Sequence, residues 1–275
     1  MRTLHCGRHR LTLRHPLIVG IVNLTPDSFS GDGHGSDADR AIAYVHAQIE
    51  AGADIIDLGA ESSRPGAPPV SEADELARLL PVLRALRDVS VPLSVDTMKP
   101  AVMLAALAEG ASMINDIAAL TAPGAVEAVV ASDAAVCLVH MQGKPRSMQD
   151  RPNYGDVVSE VIEFLDARAK ACLTAGVERE RIVLDPGFGF GKSLEHNLSL
   201  LRALPEFAAR GYPVLVGLSR KSMLGKITGR EVGDRLPASL AAALIAIQRG
   251  AAMIRVHDVA ATRDALSVLN AVENR

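Results

Sequence analysis

The sequence predicts an α/β fold of a single kind, a closed (β/α)8 TIM barrel preceded by an N-terminal β-hairpin. Three observations lead there. Eight short apolar, β-branched runs each stop at a polar residue and are each followed by a stretch with helical periodicity, the signature of βα units around a parallel sheet. The 275 residues divide by eight into units of about 34, a size typical of such barrels. Glycines at 52, 110, 176, 211 and 250 close five of the helical stretches, where a left-handed residue is wanted.

The elements follow in order. Around Gly7 the first sixteen residues alternate basic and apolar positions, which reads as a hairpin plugging the far end of the barrel. The first four strands are residues 17–22 ending at Asn23, 54–59 before Glu61, 91–95 ending at Asp96, and 111–114 ending at Asn115. The last four are 134–139 ending at His140, 181–184 ending at Asp185, 213–218 before Ser219, and 251–254 before Arg255 and His257. Helices are expected over 37–51, 71–88, 99–109, 123–131, 154–175, 194–209, 235–249 and 260–270. Ser71, with Asp74 three residues on, is a helix-start signal. No linker or low-complexity tract interrupts the chain, so one domain over 1–275 is expected. Loops at 25–35, 62–70 and 142–153 are long for a compact barrel and read as lids or binding loops.

Composition narrows the function. A net charge of −3 implies no basic face for nucleic acid. Three scattered cysteines, Cys6, Cys137 and Cys172, have neither metal nor disulfide spacing, which points to a reducing cytoplasm. The longest apolar stretch, 238–247, is too short to span a bilayer. Small-molecule substrates are therefore expected, with no nucleic-acid or membrane partner. The helix over 235–249 is apolar nearly all round, more than one stripe against a barrel requires, and suggests a homodimer.

Barrel ligands bind where the strands end. Asp96, Asn115, Asp185 and Lys221 come from the third, fourth, sixth and seventh strands. An internal network pairing Asp185 with Lys221 is the plainer account of them. The sharper one is a flat heterocycle in the mouth: a carboxylate accepts two N–H bonds from an amino-pyrimidinone edge, and a lysine donates to the ring carbonyl. Arg64, Arg255 and His257, with Ser63 and Ser219 nearby, suit a phosphate or diphosphate. The alternative there is Arg255 pairing with Asp258 or a helix C-terminus. Asn23 offers a neutral oxygen to Mg²⁺, unless its Asn-Leu-Thr-Pro run is simply a turn.

The glycine-rich stretch 185–192 is not a nucleotide loop. A P-loop needs glycine five residues before Gly191, and Pro186 stands there. The dinucleotide fingerprint fails on spacing as well. Three glycines in five positions instead let the chain pass close to a ligand, with Phe188 or Phe190 against an aromatic ring. Cys137 reads as core, while His140 is open to either a structural or a functional role.

Several of these stretches together resemble one family. They are Asn23-Leu-Thr-Pro-Asp-Ser-Phe-Ser30, Glu61-Ser-Ser-Arg-Pro-Gly-Ala67, Ser94-Val-Asp-Thr-Met-Lys-Pro100, Ile114-Asn-Asp-Ile117, Asp185-Pro-Gly-Phe-Gly-Phe-Gly-Lys192, Ser219-Arg-Lys-Ser222 and Arg255-Val-His-Asp258. In this order, over essentially the whole chain, they resemble the bacterial dihydropteroate synthases. The resemblance implies condensation of a dihydropterin hydroxymethyl diphosphate with p-aminobenzoate, in the presence of Mg²⁺. It implies that Asp96, Asn115, Asp185 and Lys221 hold the pterin. Asn23, Ser63, Arg64, Arg255 and His257 would hold the diphosphate, with Asn23 on the metal. Ser63, Pro65, Phe190, Lys221 and Ser222 would surround p-aminobenzoate, and Arg64, Lys221, Arg255 and His257 would carry the catalysis. Asp27 is a candidate for steering the amine. Alternatives are a methyltetrahydrofolate-dependent methyltransferase, a non-catalytic pterin-binding barrel and a phosphosugar aldolase or isomerase. The first two would have less need of the Arg64 and Asn23 loops.

Overall fold

The computed structural model describes residues 3–25, 38–62 and 66–273. Strands β1 (Thr3–Cys6) and β2 (His9–Thr12) pair antiparallel, with Cys6 opposite His9, and form the expected hairpin. Gly7 takes the left-handed conformation at its turn, φ +57°, which costs glycine little.

Eight parallel strands follow: β3 (Leu17–Asn23), β4 (Ile55–Gly59), β5 (Leu93–Asp96), β6 (Met113–Asp116), β7 (Ala135–Val139), β8 (Ile182–Asp185), β9 (Leu215–Val216) and β10 (Met253–Val256). They pair in the order β8-β7-β6-β5-β4-β3-β10-β9. A bridge between Leu184 and Val214, with the Leu184 amide donating to the Pro213 carbonyl at 2.9 Å, joins the two ends. The barrel is closed. The seventh strand of the sequence, expected over six residues, is reduced to two because its run divides between neighbours. Val214 bridges to β8, whereas Leu215 and Val216 pair with β10.

The helices are α1 (Ala38–Glu50), α2 (Glu72–Ala85), α3 (Pro100–Ala108), α4 (Ala125–Val130), α5 (Val157–Ala175), α6 (Leu194–Arg202), α7 (Leu204–Ala208), α8 (Ser222–Thr228), α9 (Leu236–Gln248) and α10 (Val259–Glu273). The expected helix over 194–209 breaks at Ala203, where Pro205 begins a new first turn. The short α8 carries too few residues to show periodicity and was not expected. Ser71 caps α2 by accepting the Asp74 amide at 3.1 Å, as its sequence promised.

Alternation along the strands sorts two cores. Leu17, Val19, Ile55, Met113, Cys137, Val183 and Met253 face the barrel interior, while Ile18, Val22, Ile56, Leu58 and Val95 pack under the helices. From the hairpin, Leu4 and Cys6 are fully buried in the interior cluster, and the Cys6 thiol donates to the Ser112 carbonyl at 3.1 Å. Burial of each such side chain contributes about 1.5–3 kcal/mol. One end of the barrel is thus filled, and the mouth at the strand C-termini is left for ligands.

Candidate functional site

Pleat and register put a set of charged groups at the mouth. Gly59 stands beside Asp96 and Asp96 beside Asn115 on neighbouring strands. Arg255, on β10, reaches across the barrel: its Nε donates to Asp57 Oδ2 at 2.6 Å and its Nη2 to Asp96 Oδ2 at 3.1 Å. Asn115 Nδ2 donates to the same Asp57 oxygen at 3.1 Å. Asp57 is therefore the hub of the network, although its charge is hidden mid-strand in an apolar run. The alternative pairing of Arg255 with Asp258 does not form. Arg220 takes Asp258 instead, at 2.6 and 3.1 Å.

Electrostatics follow from burial. Burial pushes the Asp96 carboxyl up to about 7, against the pull of Arg255, and raises Asp185 with Lys221 opposing. For Arg255 burial disfavours the charge, but Asp57 and Asp96 outweigh it and hold the guanidinium firmly protonated. Burial lowers Lys221 to about 8, Asp185 opposing.

The plainer reading, an ion pair between Asp185 and Lys221, does not form. Asp185 Oδ1 accepts the Gly187 amide at 2.7 Å. Lys221 Nζ donates to the Phe188 carbonyl and lies 4.5 Å from the centre of the Phe190 ring. The two phenylalanines separate: Phe188 is fully buried, whereas Phe190 is half-buried beside Lys221. His257 sits at the end of β10, its Nδ1 3.0 Å from Ser219 Oγ. Asn23 ends β3 beside Gly59, and exposed Ser222 opens α8. Ser63, Arg64, Pro65 and Asp27 lie outside the described residues.

Lys192 was not singled out by sequence. It is buried and donates to the carbonyls of Gly187 at 2.9 Å and Phe190 at 3.0 Å, with Nζ 2.9 Å from His140 Nδ1. Burial lowers it to about 7, opposed by Asp185. Burial, then Lys192, pushes His140 down to about 3. Glycine is required opposite it: a Cβ on Gly187 would lie 1.8 Å from the His140 carbonyl oxygen. The signal in sequence was a lysine closing a glycine-rich stretch.

Outside Asp96 a cleft of about 220 Å³ continues between Glu61, Pro69, Met98, Ile117 and Lys144. Two carbonyls shape the Ile117 turn: Arg168 binds those of Ala119 and Leu120, both left-handed, at 2.7 Å each. On the near side Lys99 bridges Glu61 and the fully buried Glu75, the latter at 2.6 Å. Glu61 Oε1 also accepts the Val70 amide at 3.0 Å, joining the two ends of the loop between. Two acceptor oxygens in the mouth, Asp57 Oδ1 and Asn115 Oδ1, are buried without a partner among the described residues.

Acceptors in excess at a barrel mouth suit a donor-rich heterocycle, and the likeness to known proteins agrees. The pattern of the pterin-binding enzyme family matches residues 19–257. The dihydropteroate synthase of Haemophilus influenzae is 49% identical over 272 residues, covering 98% of this chain and 99% of its own. This chain belongs to the dihydropteroate synthase family. The solved Burkholderia cenocepacia dihydropteroate synthase, complexed with 7,8-dihydropteroate, is 52% identical at a TM-score of 0.91, covering 99% of this chain and 97% of that one. The Xanthomonas albilineans dihydropteroate synthase with 4-aminobenzoic acid is 49% identical at 0.92, covering 99% and 98%. The family's reaction is a transfer in folate biosynthesis. It joins 6-hydroxymethyl-7,8-dihydropterin diphosphate to p-aminobenzoate, giving 7,8-dihydropteroate and diphosphate. The methyltransferase, non-catalytic and aldolase readings give way to it.

Proposed function

We propose that this chain carries out that reaction as a single domain over 1–275, with its pterin lying across the barrel mouth on Asp96, Asn115, Asp185 and Lys221. Asp57 joins them. The observation that carries this reading is the pair of unpartnered buried oxygens, Asp57 Oδ1 and Asn115 Oδ1. Buried acceptors are costly unless donors reach them, and the amino and ring N–H groups of a pterin are such donors.

The diphosphate falls to Asn23, Ser63, Arg64, Arg255 and His257. Arg255 uses Nε and Nη2 on Asp57 and Asp96, which leaves Nη1 for a ligand. Among the described residues no three His, Cys, Asp or Glu side chains converge on a metal-sized space. A single neutral oxygen from Asn23 still fits Mg²⁺, which keeps waters and takes oxygens from a phosphorylated substrate. When bound, that ion neutralises part of the diphosphate charge. Arg64, Arg255 and His257 stabilise the same charge as it grows, the diphosphate leaving with the electron pair of its C–O bond. Lys221 orients the pterin against Phe190. The aniline nitrogen of p-aminobenzoate, held by Ser63, Pro65, Phe190, Lys221 and Ser222, then forms the C–N bond and releases its proton to solvent. An electron-rich pterin that carries positive charge early makes a strong general base unnecessary.

Asp185→Asn tests the pterin assignment. The amide presents a donor to an edge made of donors, at a cost of about 1–3 kcal/mol in pterin affinity. Calorimetric titration of the folded variant reads it directly, and unchanged affinity would remove Asp185 from the site.

No helix among the described residues is long and apolar enough to cross a membrane. The buried free thiols Cys6, Cys137 and Cys172 accord with a cytoplasmic location. A homodimer is supported by exposed apolar side chains on three successive helices: Ile227 on α8, Ile245 on α9, and Val268 and Val272 on α10. Ile245→Asp combined with Val268→Asp should shift sedimentation at micromolar concentration from dimer to monomer. A wild-type protein that sediments as a monomer overturns the dimer.

A further inference from the structure

Two of the motifs contain a residue to which the chemistry above gives no work: Arg220, between Ser219 and Lys221, and Asp258, directly after His257. They face one another. Arg220 Nε and Nη2 meet the two oxygens of Asp258 at 3.1 and 2.6 Å, the bidentate geometry in which a guanidinium and a carboxylate lock orientation as well as distance. One residue earlier on each segment, Ser219 Oγ lies 3.0 Å from His257 Nδ1 and accepts the His257 amide at 3.3 Å. Consecutive residues after β9 thus grip consecutive residues after β10, rung by rung.

The backbone at Arg220 is unusual. Its φ is +57°, in the left-handed region that non-glycine residues seldom adopt. The amide donates to Ser239 Oγ at 3.0 Å, and the carbonyl accepts Arg235 Nη1 at 3.1 Å. This twist sends three successive side chains different ways: Ser219 to His257, Arg220 back to Asp258, and Lys221 to the Phe188 carbonyl over the Phe190 ring. A strained conformation persists where its surroundings over-determine it, often beside a functional site.

We propose that Arg220 and Asp258 form a positioning pair that sets Lys221, the contact shared by pterin and p-aminobenzoate, relative to His257 on the diphosphate. The inference rests on the roles given above to Lys221 and His257. Neither Arg220 nor Asp258 touches the reacting atoms. The pair holds the leaving-group end and the nucleophile end of the reaction in one frame, where a displacement of an ångström is costly to rate.

The test uses the full chain. Arg220→Gly removes the guanidinium and also frees the backbone at φ +57°, so its thermal midpoint should stay level or rise. Its kcat should fall at least tenfold, while the affinity for the pterin substrate changes less than threefold. Asp258→Asn, nearly isosteric, should lose kcat in the same way. In the double variant the losses should not multiply, as expected for two residues acting as one unit. Arg220→Lys keeps the charge without the planar fork and should recover only part of the rate. A kcat within twofold of wild type in either single variant, or losses that multiply in the double, overturns the pairing. Lys221→Ala and His257→Ala run alongside. If those two are inactive while Arg220→Gly is not, the positioning role fails and the site stands; if they retain wild-type turnover, the site assignment itself fails.

Discussion

Asp96 shows how a single side chain can invert the usual dependence of stability on pH. Burial raises its carboxyl to about 7, against about 3.9 for an unperturbed aspartate. Between those values the native state binds more protons than the unfolded one, so this group makes the fold lose stability as pH rises from about 4 to about 7. Asp96→Asn should flatten that slope, measured as the difference between urea-unfolding free energies at pH 4.5 and pH 7. An unaltered difference would place the titration elsewhere. The same scale shows what sequence makes legible. Asp96, Asn115 and Asp185 were visible because each ends an apolar strand, where a polar side chain is conspicuous. Asp57 was not, because it sits inside the run Ile55-Ile-Asp-Leu-Gly59 and only the closed barrel brings Arg255 and Asn115 to it. Lys192 was masked by its glycines, which suggested a ligand loop rather than a lysine holding that loop's own carbonyls. The alternative that Arg255 pairs with its sequence neighbour Asp258 fails for a physical reason: the parallel sheet projects the Arg255 side chain across the barrel to Asp57 and Asp96.

Elements were legible where they were long or strongly patterned. Hairpin, strands and most helices follow alternation, caps and closing glycines. The divided β9, the break at Ala203 and the short α8 depend on which neighbours compete for a segment's hydrogen bonds, and no local pattern encodes that. Connections between elements also carry energy that sequence does not display. Lys99, after β5, bridges Glu61 after β4 and Glu75 on α2. Burial opposes its charge, but the two glutamates hold it protonated. Glu75 is fully buried, and its Oε1 has no partner among the described residues. Removing the lysine leaves that carboxylate uncompensated, which typically costs about 3–5 kcal/mol. Lys99→Met should therefore lower the urea midpoint strongly, and adding Glu75→Gln should restore part of the loss. A mild effect for Lys99→Met alone would show that water or another group reaches Glu75.

At the scale of the molecule, the proposed site predicts that binding of the second substrate depends on the first. The residues assigned to p-aminobenzoate come from separate parts of the chain: Ser63 and Pro65 after β4, Phe190 after β8, and Lys221 and Ser222 after β9. Two of them are shared. Ser63 also belongs to the diphosphate set, and Lys221 to the pterin set. Lys221 Nζ donates to the Phe188 carbonyl beside the Phe190 ring, and on the proposed assignment a bound pterin fixes its place in the p-aminobenzoate pocket. The apparent affinity of p-aminobenzoate is then its intrinsic affinity reduced by the fraction of protein with that pocket formed. Binding should be weak or undetectable with the protein alone. It should strengthen at least tenfold, about 1.4 kcal/mol, once a dihydropterin, diphosphate and Mg²⁺ are present together. Arg64→Ala should reduce that gain more than it reduces the affinity for dihydropterin alone, if Arg64 acts on the diphosphate as proposed. Calorimetric titration of p-aminobenzoate with and without those ligands measures the coupling, and equal affinity under both conditions would show that the pocket exists before the first substrate arrives.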